Sequence, residues 1–169
     1  MPDYLDLDEF KAQRRIDSDL EDDVITRLLN SAEARLGDPV NGILRRPVVS
    51  QEFTEKFSGF DSVELAYPDN ASISDLSYES AGVMTAVGDI YTLENGKLVL
   101  TYGESWPTNV TSVSVTYTAG WDAADVPEPI KDAGYFIAGQ LYDNEDSFDS
   151  ERFRRVLAFM VSGYRRAGI

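Results

Sequence analysis

A chain of 169 residues is long enough to bury a core, either as one domain or as a domain carrying an inserted layer. Its 43% hydrophobic and 11% aromatic residues point to a folded protein in spite of a formal net charge of −15. Cysteine and histidine are both absent, which excludes a disulfide framework, a thiolate nucleophile, a zinc finger and the commonest general base.

The charge is uneven. Residues 1–150 carry 10 basic and 29 acidic side chains, whereas 151–169 carry Arg152, Arg154, Arg155, Arg165 and Arg166 against Glu151. A basic tail on an acidic body can meet a different partner from the body itself. No run of eighteen apolar residues occurs, and the acidic start Met1-Pro2-Asp3-Tyr4-Leu5-Asp6 lacks the basic and apolar stretches of a signal peptide. A soluble, unexported protein without a membrane partner is therefore expected.

Asp6-Leu7-Asp8-Glu9 is a capping box with Leu5 and Phe10 as its staple pair, predicting a first helix from about Leu7 to Arg15. Ser18-Asp19-Leu20-Glu21 reads as a second box. After it, Leu20, Val24, Leu28, Ala32 and Leu36 recur every fourth residue with Ile25 and Leu29 beside them, predicting a long helix stopped by Gly37 and Pro39.

From Val48 to Thr118 the texture changes to short runs rich in Val, Thr, Tyr and Phe, such as Gln51–Phe57, Ser62–Tyr67 and Val110–Tyr117. Five or six strands are expected. Asn95-Gly96 supplies the positive φ angles of a type I′ turn, predicting a hairpin between Asp89–Leu93 and Lys97–Tyr102.

Val126-Pro127-Glu128-Pro129 then opens a third helix, with Ile130, Ala133, Ile137 and Leu141 on one stripe. A fourth begins near Asp149 or Ser150 and places Phe153, Val156, Leu157, Met160 and Tyr164 on its apolar face, leaving the arginines on the flanks and far side. The fold class is α+β: a mainly helical core of about four helices with an antiparallel β layer inserted between the second and third. A single domain over 1–169 is expected, with helical core 5–47 and 126–167 and β insertion 48–120.

Little in the chain supports catalysis. Asp17–Asp23 and Asp143–Asp149 are acidic clusters, but neither has the glycine and spaced glutamate of a calcium loop. No phosphate loop, dinucleotide fingerprint or Gly-x-Ser-x-Gly elbow occurs. The chain is read as a non-enzyme with no catalytic residue, cofactor or metal. The terminal arginines have three readings that stay open at this point: a solvated helix face, a nucleic-acid contact, or a dock for an acidic protein.

Several stretches in order carry a family resemblance: Tyr4–Lys11 leading into Arg15-Ile16-Asp17, Asp22–Glu33, Leu44-Arg45-Arg46-Pro47, Tyr91–Lys97, Trp106-Pro107, Val113–Trp121, Val126–Lys131 and Leu141-Tyr142. Together they resemble the head–tail connector, or adaptor, family of tailed double-stranded DNA viruses and prophages, across nearly the whole chain. The resemblance implies a virion protein of the neck, assembled in the host cytoplasm as a ring, commonly of twelve copies, under the portal protein. Such a ring extends the channel through which genomic DNA passes without sequence-specific binding, and presents a surface to the next head-completion or tail protein. It assigns portal docking to the C-terminal helix and tail; charge complementarity with an axial partner points there to Arg152, Arg155, Arg165 and Arg166, and Phe159, Tyr164 and Ile169 complete the expected docking set. Two loops depart from the family pattern, Gly37–Gly42 and Tyr142–Asp146.

Competing readings are another neck or tail-completion ring protein, a small acidic metal-dependent enzyme using Asp17–Asp23 and Asp143–Asp149, and an acidic DNA mimic. Helix content separates the first from the connector reading, metal-dependent stabilisation would favour the second, and the basic C-terminal helix argues against the third.

Overall fold

A computed structural model describes residues 3–143 and 151–165. Among the described residues the chain runs α1 (Leu7–Arg14), α2 (Asp22–Gly37), six strands, α3 (Glu128–Asp143) and α4 (Glu151–Met160). The strands are β1 (Gln51–Phe57), β2 (Ser72–Ser80), β3 (Val83–Ala86), β4 (Tyr91–Glu94), β5 (Lys97–Leu100) and β6 (Ser112–Ala119). The fold is α+β, with an antiparallel sheet between the second and third helices. The chain divides into two compact units, 1–49 with 121–169, and 50–120.

In the helical unit, the Asp6 carboxylate caps α1 by accepting the Glu9 amide at 2.8 Å, and the staple residues Leu5 and Phe10 are both buried. The second expected box does not form. Helix α2 starts at Asp22 without a side-chain cap, and Ser18 Oγ accepts the Leu20 amide at 3.2 Å within the preceding turn.

The buried face of α2 also differs from the expected stripe. Ile25, Leu29, Ala32 and Leu36 are fully buried, whereas Leu20 is 94% and Val24 41% exposed and Leu28 is half-buried outside the core cluster. The reason is geometric. At 3.6 residues per turn a strict four-residue repeat slips about 40° per step, so Leu20 and Leu36 cannot share a face. The 4-3-4 spacing of 25, 29, 32 and 36 does stay on one face. That face meets Ile130, Ala133 and Ile137 of α3, all fully buried, with Leu141 half-buried beside them. On α4, Phe153 and Leu157 are buried as expected, but Val156 is 40% exposed and the core position is taken by Val161.

In the β unit, β1, β6, β2 and β3 form an antiparallel sheet in that order. The alternation of β6 puts Val113, Val115, Tyr117 and Ala119 inward with Leu76, Val63, Leu65 and Phe60, and Trp106 stacks on Phe60 at 4.4 Å. The expected hairpin is present as β4–β5, with Glu94 paired to Lys97 and Asn95 and Gly96 at φ 51° and 80°. Ser62–Tyr67 is not a strand; Phe60–Ser62 is a 3-10 turn, and Glu64 makes only an isolated bridge to Lys97.

Candidate functional site

The terminal arginines do not form one stripe. Phe153 and Leu157 anchor α4 in the core, with Phe153 stacked on Phe136 of α3 at 5.1 Å, and this sorts the remaining side chains by angle. Arg152 and Val156 fall on one flank, over Phe136 and Gln140. Arg155 points outward and pairs with Glu151 one turn earlier, and Phe159 is 83% exposed. Arg154 and Ala158 fall on the other flank, where they face the end of α2. Tyr164 packs edge-on against Trp121 at 6.3 Å, so its ring is engaged with the chain's own core. Arg166 and Ile169 lie outside the described residues.

The Arg154 flank closes one side of a cleft of about 820 Å³. Its apolar floor comes from Ile43, Phe153 and Leu157, and Arg35, Arg45, Arg154 and Arg165 stand around it, all exposed. Four of the chain's fifteen basic residues therefore converge on one groove in a protein of net charge −15.

The far wall is built by the turn after α2. Asp38 leaves the helix in extended conformation, and its carboxylate accepts the Val40 and Asn41 amides at 2.8 Å, which holds its pKa below the usual carboxylate value. The chain then folds back, with the Ile43 amide on the Arg35 carbonyl at 2.8 Å and the Leu44 amide on that of Leu36 at 3.1 Å. Gly42 is required there, because a Cβ would stand 2.4 Å from the Asp38 carbonyl oxygen.

This turn separates two adjacent arginines. Arg46 is buried, with its guanidinium over the Trp121 ring at 4.4 Å, a cation–π contact that ties the turn to the segment before α3. Arg45 adopts a left-handed conformation at φ 52° and turns to the groove. The roles of Arg35 and Arg45 were not legible in sequence, since nothing in their spacing connects them to a helix more than a hundred residues away.

The acidic segment Asp17–Asp23 is a surface of a different kind. The Lys11 ammonium bonds Asp19 and Asp22 at 2.7 Å each, which raises its own pKa and lowers that of Asp19. The Glu21 carboxylate accepts the Tyr142 hydroxyl. Among the described residues no group of three carboxylates is placed to hold a metal ion. Asn144–Asp149 of the second acidic cluster lies outside the described residues.

No protein-family model matches the chain, and no curated protein matches it either. Solved structures do. A chain in a structure described as the neck of an empty GTA particle computed with C6 symmetry aligns with TM-score 0.66 at 18% identity. A chain of the virion of a native gene transfer agent (GTA) particle aligns with TM-score 0.67 at 20% identity. A chain in the neck of a native GTA particle computed with C12 symmetry aligns with TM-score 0.61 at 16% identity. Each alignment covers 98% of this chain and 91% of the other. At these identities the likeness is one of fold, and it runs from end to end.

Proposed function

We propose that this chain is a structural, non-catalytic subunit of the neck of a tailed-virus-like particle, a head–tail connector that forms a ring under the portal protein. The end-to-end fold likeness to chains from particle necks carries the reading. Both necks were computed with rotational symmetry, which fits a subunit that works as part of a ring.

The charge distribution supports the same role. An acidic wall repels phosphates at short range, so genomic DNA can slide past without sticking, while a basic helix suits an axial protein partner of opposite charge. The outward residues of α4, Arg152, Arg155 and Phe159, are the portal-facing set, continued by Arg166 and Ile169 in the tail. Tyr164 buttresses the helix from within, and Arg165 belongs to the groove.

Native mass spectrometry of this chain co-expressed with the portal from the same genome tests the reading. One copy per portal subunit, or a closed ring of matching symmetry, is the expected result. Persistent separation of the two proteins would reassign the chain to a later tail component.

A further inference from the structure

The apolar residues that the fold leaves outside α2 have a matching surface elsewhere on the same chain. Leu20, in the turn before α2, is 94% exposed, and it leads into Val24 and Leu28, one helical turn apart on the outward side. Beside them in the chain stand Asp17, Asp19, Glu21 and Asp23, all exposed, with Arg27 as an exposed cation next to Leu28, so the border is acidic on balance. The result is an apolar ridge with an acidic border. The groove beside α4 is the complement, an apolar floor with an arginine border.

We propose that the Leu20–Val24–Leu28 ridge of one copy seats in the arginine-rimmed groove of the next copy, forming a head-to-tail contact between copies of this chain. Leu20 occupies the apolar floor at Ile43 and Leu157, and the acidic border meets Arg35, Arg45, Arg154 and Arg165.

Three observations carry this. The first is charge: on a chain of net −15, the groove is where four arginines meet, so the body of a second copy is itself an acidic partner. The second is polarity of pattern, since both surfaces have apolar centres and charged rims of opposite sign, the anatomy of a protein interface. The third is position. The ridge runs from the turn before α2 to Leu28, and Leu20, the residue that fills the floor, precedes the helix start at Asp22, which lies roughly 20 Å from Arg35 along the axis at 1.5 Å per residue. One copy cannot fill its own groove. A contact between two different patches is heterologous, and such contacts either close into a ring or grow into a filament.

This contact deepens the ring reading and rests on it for closure, although the pairing itself is set by the two surfaces. It differs from portal docking, which uses Arg152, Arg155 and Phe159 on the other flank and outer side of α4.

The absence of cysteine makes the test direct. A variant carrying Leu20→Cys and Ala158→Cys, both exposed positions, is concentrated and oxidised, and the products are sized under denaturing conditions. The expected result is a ladder of disulfide-linked oligomers ending in a closed ring, whereas either single variant stops at dimers. Arg45→Glu combined with Arg154→Glu in that background, with folding checked by circular dichroism, lowers the yield of the ladder roughly tenfold. Adding Asp17→Arg and Asp23→Arg restores it.

The outcomes separate the two readings. Rings by native mass spectrometry without the ladder overturn this contact and leave the neck reading standing. A ladder that never closes supports the contact and counts against the ring. If there is no ladder, no ring and no complex with the portal, both fall. If the Arg45→Glu, Arg154→Glu variant still forms rings and instead loses the portal, the groove belongs to the axial partner and the proposal is overturned.

Discussion

The Glu33 carboxylate accepts the Leu5 backbone amide at 2.8 Å, joining the middle of α2 to the segment that precedes α1. The same carboxylate accepts the amides of Asp3 and Tyr4, also at 2.8 Å. A side chain that is 9% exposed thus satisfies three backbone donors, and it places Leu5 in the core against α3.

Replacing Glu33 with Ala leaves those amides without their acceptor and is expected to cost about 2–3 kcal/mol, in line with loss of hydrogen bonds to a buried charged group. Chemical denaturation measures this. A loss near zero would show that the N-terminal segment is held by its side chains alone.

Leu29→Ala opens a cavity at a fully buried position and should cost about 2–5 kcal/mol. Leu28→Ala, one residue earlier, should cost less than half as much, because Leu28 is half-buried outside the core cluster. Equal losses in the two variants would mean that the helix is rotated from the face described above.

Acid should weaken the fold through Asp19 and Asp38. Both have pKa values lowered in the folded chain, Asp19 by its bond to the Lys11 ammonium and Asp38 by the Asn41 and Val40 amides. A lowered folded pKa gives stabilisation that is complete above the unfolded carboxylate value of about 4 and disappears as pH falls through the folded value. Lys11→Met removes the Asp19 part, so its stability should fall less steeply with pH below about 4 than that of the wild type. Identical slopes for the two proteins would count against this pairing.

Alkali should act through tyrosines. Burial raises the pKa of Tyr4, Tyr117 and Tyr135, and the neighbouring carboxylates of Glu33, Glu55 and Glu9 add to the shift. A raised folded pKa gives stabilisation that is intact below the unfolded value of about 10 and is lost as pH rises through the folded values. Burial also raises Tyr91, and the bond to Glu21 raises Tyr142, so in a phenolate absorbance titration these five of the nine tyrosines should ionise late, with Tyr4, Tyr117 and Tyr135 doing so together with unfolding. Smooth titration of all nine near the ordinary value would show that these hydroxyls are solvated.

Much of the element order was readable because local chemistry determines it. Asp6 caps α1 with its own side chain, Asn95-Gly96 takes the positive φ angles that a two-residue turn demands, and Pro127 precedes α3 as a helix start should. Strands β2 and β3 are not among the runs read from the sequence, and β3 carries little signal, being four exposed residues entered through Ala81 at φ 50°, a residue without the usual preference for that conformation. The Ser18 box failed because the hydroxyl satisfied a nearer amide in the turn.

By itself the sequence determined the four helices, the Asn95-Gly96 turn, the presence of a β layer and the acidic body with its basic end, since each depends on residues close together in the chain or on their sum. Tertiary structure decided which of two neighbouring apolar rows on α2 became core and which became a ridge, because periodicity orients side chains relative to one another and only packing against α3 selects a face. It also decided that Arg35 and Arg45 share a groove with Arg154 and Arg165, which no spacing encodes, because folding the chain back after Asp38 and anchoring α4 through Phe153 bring distant charges to one place.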